Sequence, residues 1–95
     1  MSDRNYVIVR TESAGCFAGE LVSREGSEAR MTNARRLWYW SGAASLSGLA
    51  IHGTTNPIGC KFPAPVDVTL LGVVEVIDVT PAAQKSISEV PEWKA

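Results

Sequence analysis

Short runs of β-branched residues, separated by glycine and other turn-forming residues, restrict this chain to brief strands and tight connections. Residues 6–10 predict a first strand and residues 16–24 a second, in which Gly19 indicates a bulge or a close approach by another backbone. Residues 25–27 have the composition of a hairpin turn, and residues 28–32 predict a third strand. The pattern therefore predicts an antiparallel meander.

Helical periodicity replaces this alternation after the third strand. Apolar residues recur at helical spacing from 46 to 50 and predict a helix over residues 43–52. We expect Ser41 or Gly42 to cap its N-terminus and Gly53 to end it in a left-handed conformation.

A second β-rich segment and a short helix complete the chain. Residues 66–79 are rich in valine and isoleucine and predict two strands that bend at Gly72. Thr80 and Pro81 form a favourable helix start, an N-cap followed by a first-turn proline. Pro91 is expected to end that helix.

The composition is that of one small folded domain. The chain has 95 residues, of which 45% are hydrophobic and 20% charged. We expect a single α+β domain over residues 1–95, a small antiparallel meander or sandwich-like sheet with a central helix and a short C-terminal helix. Because a chain of this length buries only about 60–65% of its unfolded surface, association into a homo-oligomer would add stability.

Charge and hydropathy exclude several partners. A net charge of −1 argues against duplex nucleic acid, whose binders usually carry a strongly basic balance. No apolar run approaches the roughly 20 residues of a membrane-spanning helix, and residues 1–5 lack the features of a signal peptide. We therefore expect a cytoplasmic protein with no membrane partner. In that compartment Cys16 and Cys60 are expected to remain reduced thiols.

Residues suited to catalysis are sparse. His52 is the single histidine, and near the end of the predicted helix it is expected to interact with the helix C-terminus. Neither cysteine lies in a catalytic motif, the acidic residues are scattered, and no metal-binding motif occurs. We expect no enzymatic activity, no metal and no cofactor.

Recognition chemistry is concentrated in residues 35–42, Arg-Arg-Leu-Trp-Tyr-Trp-Ser-Gly. In a continuous strand over residues 30–40, alternation would place Leu37 and Tyr39 on a core-facing side together with Arg35. The opposite face would carry groups suited to stacking or to binding an anion: Arg36, Trp38 and Trp40. Alternatively, Asn33 lies in a turn, which would break the register upstream and leave these three residues aligned.

The residues that follow would complete an anion site. The amides at the start of the predicted helix would direct hydrogen-bond donors at a phosphate or carboxylate. Arginine offers a fork for phosphate, and tryptophan offers a plane for a base. We expect a small anionic, nucleotide-like ligand bound by Arg35, Arg36, Trp38, Trp40, Ser41 and Gly42. The open alternative is that Trp38 and Trp40 pack in the core or in a subunit interface, where aromatic residues are also enriched.

Several segments of the chain resemble a family of small phage and prophage proteins: residues 6–10, 15–21, 34–46, 60–62, 74–77 and 91–93. The run Trp-Tyr-Trp-Ser-Gly-Ala-Ala-Ser-Leu is the most specific of them. The chain is also loosely similar to phage anti-defence sponges, such as the first Thoeris anti-defence family. That resemblance implies a small β-rich homo-oligomer that sequesters cyclic nucleotide signals without cleaving them.

The expected function is therefore that of a non-enzymatic phage or prophage accessory protein that binds and sequesters a nucleotide-like signalling molecule. Two alternatives use the same arginine and tryptophan residues for protein contacts. One is a structural or assembly protein of a virion, and the other is an inhibitor that binds a host protein.

Overall fold

The computed structural model describes residues 5–94, which form five strands, two α-helices and one turn of 3₁₀ helix. The strands are β1 (Asn5–Thr11), β2 (Cys16–Glu25), β3 (Glu28–Arg36), β4 (Val66–Leu70) and β5 (Val73–Asp78). The helices are α1 (Leu46–His52) and α2 (Pro81–Ser88), and the 3₁₀ turn is Pro57–Gly59. The predicted α+β fold, with a central and a C-terminal helix, is confirmed.

The strands form one antiparallel sheet in the order β4-β3-β2-β1-β5. β4 and β5 lie at opposite edges, although only Leu71 and Gly72 separate them in the chain. Because such a link spans at most about 11 Å, the sheet must curl until its edges approach one another at this end. The Val73 N–H donates to the Ser27 carbonyl and the Glu12 N–H to the Gly72 carbonyl, both at 2.9 Å, which fastens the turn in place.

Alternation along the curled strands sorts the apolar side chains into two cores. The inner core lies on the concave face and contains Val7, Val9, Phe17, Met31, Ala34 and Leu70. The outer core lies between the convex face and the helices and contains Ile8, Ala18, Leu37, Leu49, Ala50, Cys60, Phe62, Ile87 and Val90. Each large side chain buried in this way stabilises the fold by roughly 1.5–3 kcal/mol.

β3 is longer than predicted because it passes through a bulge at Asn33 and continues to Arg36. Asn33 has a φ of 52°, a left-handed conformation that asparagine tolerates better than most residues. The bulge brings β3 close to β2 at Gly19, where a Cβ atom would lie 2.6 Å from the Cα of Ala34. The predicted close approach at Gly19 is confirmed.

Residues 30–40 do not form the one continuous strand from which the two faces were assigned, and the alternative, a break in the register at Asn33, is what the structure has. The bulge shifts the alternation, so that Met31 and Arg36 share the inner face, and the strand then ends. Side chains beyond that point no longer alternate between core and solvent. Tyr39, expected in the core, is 54% exposed, whereas Trp40 packs partly buried against the outer core.

The end of the central helix is as predicted, and its start is not. Gly53 ends α1 with a φ of 75°. The N-cap is Ser45, whose Oγ accepts a 3.0 Å hydrogen bond from the Gly48 N–H. Neither Ser41 nor Gly42 caps the helix, because hydrogen bonds to the loop after α1 hold that segment in a turn.

Three other local predictions are confirmed, whereas α2 ends at Ser88, before Pro91 can be what stops it. Gly72 forms the bend between β4 and β5 with a φ of 73°. The Oγ1 of Thr80 caps α2 by accepting from the Ala83 N–H at 3.1 Å. Cys16 and Cys60 are free thiols. Among residues 5–94, neither helix has the length and apolar character needed to cross a membrane.

Replacing Gly19 with valine is expected to destabilise the fold by about 1–3 kcal/mol, because the new side chain collides with the β3 main chain at Ala34. Gly26→Asn is the matched control: Gly26 has a φ of 59° with open space around it, and asparagine tolerates that conformation. Urea unfolding of both variants measures the difference. A Gly19→Val chain as stable as the parent would contradict the close packing of β2 on β3.

Candidate functional site

Arg35 is the most completely engaged of the predicted ligand-binding residues. It is 5% exposed. Its guanidinium donates to four main-chain carbonyls: Nε to Pro63 (3.1 Å), Nη1 to Ile87 (3.0 Å) and Val90 (2.7 Å), and Nη2 to Phe62 (2.7 Å). Its Cζ also lies 5.6 Å from the centroid of the Phe62 ring. Arg35 therefore ties β3 to the segment before β4 and to the end of α2.

The surroundings of Arg35 explain how a cation is kept inside the protein. Burial lowers the pKa of the Arg35 guanidinium, yet arginine stays charged in proteins. A buried charge is tolerated only when its donors find acceptors. Carbonyls at the C-terminal end of a helix carry partial negative charge. The Ile87 carbonyl, at the end of α2, is one of the acceptors that stabilise the Arg35 cation.

Arg36 lies on the inner face and closes one end of the inner core. Its Cζ is 4.4 Å from the centroid of the Phe17 ring, and its Nη1 donates to the carbonyl of Ala14. Arg36 is half-buried. Its position on Phe17 places it on the opposite face of the sheet from Arg35, so the two arginines do not form one fork.

Ser41 and Gly42 are held by the loop after α1. Thr54 Oγ1 donates to the Ser41 carbonyl, and Asn56 Nδ2 donates to Ser41 Oγ at 3.2 Å. The Gly42 carbonyl accepts from both the main-chain and the side-chain donor of Thr55. α1 begins at Leu46, four residues after Gly42. Ser41 and Gly42 therefore do not lie at the helix N-terminus, and the expected anion site with the helix amides does not form.

The three aromatic residues after β3 lie in different surroundings. Trp38 is 61% exposed and Tyr39 54% exposed, whereas Trp40 packs against the outer core. The chain bends at Trp38, and Tyr39 then forms an antiparallel bridge with Lys61. The rings open to solvent are therefore Trp38 and Tyr39, and not Trp38 and Trp40.

The bridge brings a lysine between two aromatic rings. Lys61 Nζ lies 5.9 Å from the Tyr39 ring centroid and 5.6 Å from the Trp93 ring centroid. Main-chain hydrogen bonds fix this arrangement, from the Lys61 N–H to the Tyr39 carbonyl (2.7 Å) and from the Trp93 N–H to the Phe62 carbonyl (3.0 Å). We name Trp38, Tyr39, Lys61 and Trp93 the aromatic–lysine surface.

Sequence reasoning missed Lys61 and Trp93 as parts of this surface. A tryptophan near a chain end usually has a docking place, but no spacing rule says which segment provides it. Within residues 5–94, Lys61 forms no salt bridge, and the acid near Trp93, Glu92, pairs instead with Lys94 at 3.7 Å. The surface thus carries an exposed positive charge between aromatic rings.

A second concave feature, the Arg35 cavity, has a volume of about 250 Å³. Its lining is Tyr6, Asn33, Arg35, Pro65, Ser88, Val90 and Glu92. Burial raises the pKa of the Tyr6 phenol, which is hydrogen bonded to Ser88. The aromatic–lysine surface lies outside this cavity, but Glu92 and Trp93 are neighbours in the chain and connect the two features.

Groups with reactive chemistry are not gathered at either feature. Within residues 5–94, no three His, Cys, Asp or Glu side chains are grouped so as to hold a metal ion. His52 is exposed in the last turn of α1. The Cys60 thiol is buried 3.5 Å from the Ser41 and Asn56 carbonyls, and burial raises the pKa of Cys16, which disfavours its reactive thiolate.

Comparison with known proteins identifies one family. The family model of a domain of unknown function, DUF6948, matches residues 4–87. No curated protein and no solved structure matches the chain.

Replacing Arg35 with methionine is expected to lower the free energy of unfolding by about 3 kcal/mol or more, because four hydrogen bonds are lost and the Pro63 and Val90 carbonyls lose their donor. Arg35→Lys should also destabilise, since an ammonium cannot reproduce the planar fork. The control is Arg24→Met at an exposed position, expected within about 0.5 kcal/mol of the parent. Urea unfolding compares the three. Equal stability of the two methionine variants would show that Arg35 does not tie these elements together.

Iodide quenching of tryptophan fluorescence is expected to act mainly on Trp38, because it is 61% exposed whereas Trp40 and Trp93 are partly buried. Trp38→Phe should remove most of the quenching, whereas Trp40→Phe should remove little, since that ring packs on the outer core. The slope of a Stern–Volmer plot provides the measurement. A larger loss in Trp40→Phe would reverse the assignment of the exposed ring.

Proposed function

The chain belongs to the DUF6948 family of unknown function, and we propose that it acts by binding, capturing an anionic, nucleotide-like molecule at the aromatic–lysine surface without turning it over. The observation that carries the proposal is the position of Lys61, whose ammonium lies between the rings of Tyr39 and Trp93. Trp38, 61% exposed, precedes Tyr39 in the chain segment that bridges to Lys61.

The chemistry of the surface matches the two halves of a nucleotide. A phosphate pairs with a lysine ammonium as a point charge. A base stacks on an exposed aromatic ring, a contact worth about 1–3 kcal/mol per base. Neither contact needs a general base, a nucleophile or a metal, so binding without chemical change is the activity that these groups support best.

Within this proposal the six residues expected from the sequence divide into two roles. Trp38 contacts the ligand. The others position that segment: Arg35, Arg36, Trp40, Ser41 and Gly42. Lys61 replaces the arginines as the phosphate-binding cation, because its charge is exposed and unpaired within residues 5–94 whereas Arg35 is buried against carbonyls.

The resemblance to phage and prophage proteins suggests what such capture would accomplish. A small, abundant binder lowers the free concentration of a signal in proportion to its sites and its affinity. In an infected cell this would blunt a defence pathway that depends on a nucleotide signal. A homo-oligomer would multiply the sites on each particle.

A second candidate is docking on an acidic segment of another protein. The observation that favours it is the exposure of Trp38 and Tyr39 on the open surface, since exposed Trp and Tyr beside a cation are typical of binding hot spots. A virion component or a host protein would be the partner in that case.

Isothermal titration against cyclic dinucleotides, cyclic trinucleotides and ADP-ribose isomers tests the proposal. We expect Lys61→Gln and Trp38→Ala each to weaken binding by about tenfold or more, equivalent to about 1.4 kcal/mol. Affinity should fall with added salt for the parent and much less for Lys61→Gln, because salt screens an exposed charge. Since both side chains are exposed, melting temperatures should stay close to that of the parent.

The matched control is Lys85→Gln, which removes an exposed lysine from α2 and should leave the affinity unchanged. Absence of heat with every compound would exclude nucleotide capture. Co-purification of a protein that is lost with Trp38→Ala, together with absence of heat, would favour the docking function instead.

A further inference from the structure

We propose that the Arg35 cavity is a second binding site, one that takes a small oxyanion group, a carboxylate or a phosphate. This site is separate from the aromatic–lysine surface, and its existence does not depend on the function proposed there. Three observations carry the inference: a buried cation that forms no salt bridge within residues 5–94, an asparagine at positive φ and a pair of hydroxyl groups, all lining one cavity. Glu92 attracts this cation only at longer range.

The cation is Arg35. Its four hydrogen bonds go to neutral carbonyls, and within residues 5–94 no carboxylate forms a salt bridge with it. A guanidinium has five N–H groups, so one on Nη2 has no acceptor among the described residues. A buried charge of this kind gains most from an anion, because the low dielectric of its surroundings strengthens their attraction.

The asparagine is Asn33, at the bulge of β3. Its φ of 52° lies in a region that costs free energy for residues other than glycine. The Asp67 carboxylate accepts a 3.1 Å hydrogen bond from the Asn33 N–H, which holds the main chain in this conformation. Bulges commonly re-aim a side chain next to a binding site, and Asn33 is one of the residues that line the cavity.

The hydroxyl groups are those of Tyr6 and Ser88, which are hydrogen bonded to each other. Burial raises the pKa of the Tyr6 phenol, so it stays protonated and can donate at neutral pH. Because the hydrogen bond between the two hydroxyl groups uses one proton, the pair offers one donor. With the amide of Asn33 and the remaining N–H of Arg35, the lining residues carry three kinds of donor for oxygen atoms.

The charges around the cavity set its selectivity. Glu92 lines it and opposes an anion, but that carboxylate pairs with Lys94 at 3.7 Å. Glu20 also acts on Tyr6 electrostatically.

The volume of the cavity limits the size of its ligand. Pockets for whole drug-sized ligands are about 300–1,000 Å³. At about 250 Å³, the cavity suits the terminal carboxylate or phosphate of a larger molecule that extends into solvent.

The test uses sodium acetate and inorganic phosphate as probes, titrated at constant ionic strength into ¹⁵N-labelled full-length protein. Saturable shifts of the Arg35 Nε–H and Asn33 side-chain resonances at millimolar concentration would support the site. Asn33→Gly should weaken binding several-fold while leaving the melting temperature unchanged or higher, because glycine adopts a positive φ without strain. If Asn33 had only a structural role, the affinity and the melting temperature would change together.

Glu92→Gln should strengthen binding several-fold by removing the opposing charge, and Lys85→Gln on α2 should leave it unchanged. Linear, unsaturable shifts, or equal affinity in the parent and Asn33→Gly, would overturn the proposal. Response to acetate alone would identify a carboxylate, and response to phosphate alone would identify a phosphate. Loss of this site would leave the titrations with Lys61 and Trp38 variants unaffected, so the two proposals fail separately.

Discussion

A buried arginine bound to main-chain carbonyls is the interaction on which the rest of this fold depends. Arg35 leaves β3 toward the helices and donates to Phe62, Pro63, Ile87 and Val90. These carbonyls lie in the segment before β4 and at or just after the end of α2, outside the sheet. The Phe62 and Ile87 carbonyls also accept main-chain N–H groups, from Trp93 and Val90. The Arg35 side chain therefore joins segments that the sheet itself does not connect.

The candidate functional features follow from that interaction. Because Arg35 holds the Phe62 carbonyl, the segment around it can pair with Tyr39 on one side and Glu92 on the other. That pairing brings Lys61 between two rings and sets one wall of the Arg35 cavity. Arg35 thus supports the segment that carries Lys61 and also lines the cavity named after it.

Local signals identified most of the secondary structure. Glycine at 53 and 72, and Thr80 before a proline, act through their own backbone preferences, so their effects could be predicted without knowing the fold. The start of α1 could not be predicted in this way, because Ser41 and Ser45 are equally suitable N-cap residues. The choice depends on the loop after α1, which forms hydrogen bonds with Ser41 and leaves Ser45 as the cap. The assignment of faces over residues 30–40 holds for Arg35, Arg36 and Leu37 but not for Met31, because of the bulge at Asn33, nor for residues 38–40, because β3 ends at Arg36.

The sequence alone determined the α+β class, the strand and helix order, the need for glycine at position 19 and the aromatic-rich composition of residues 38–40. Each depends on period, propensity or a single backbone preference, which are local properties. Only the tertiary structure decided that Arg35 is a buried tie and that Trp38 and Tyr39 face solvent. It alone joined Lys61 and Trp93 to them. These outcomes depend on contacts between distant segments, and closure of the sheet by a two-residue link selects which segments meet.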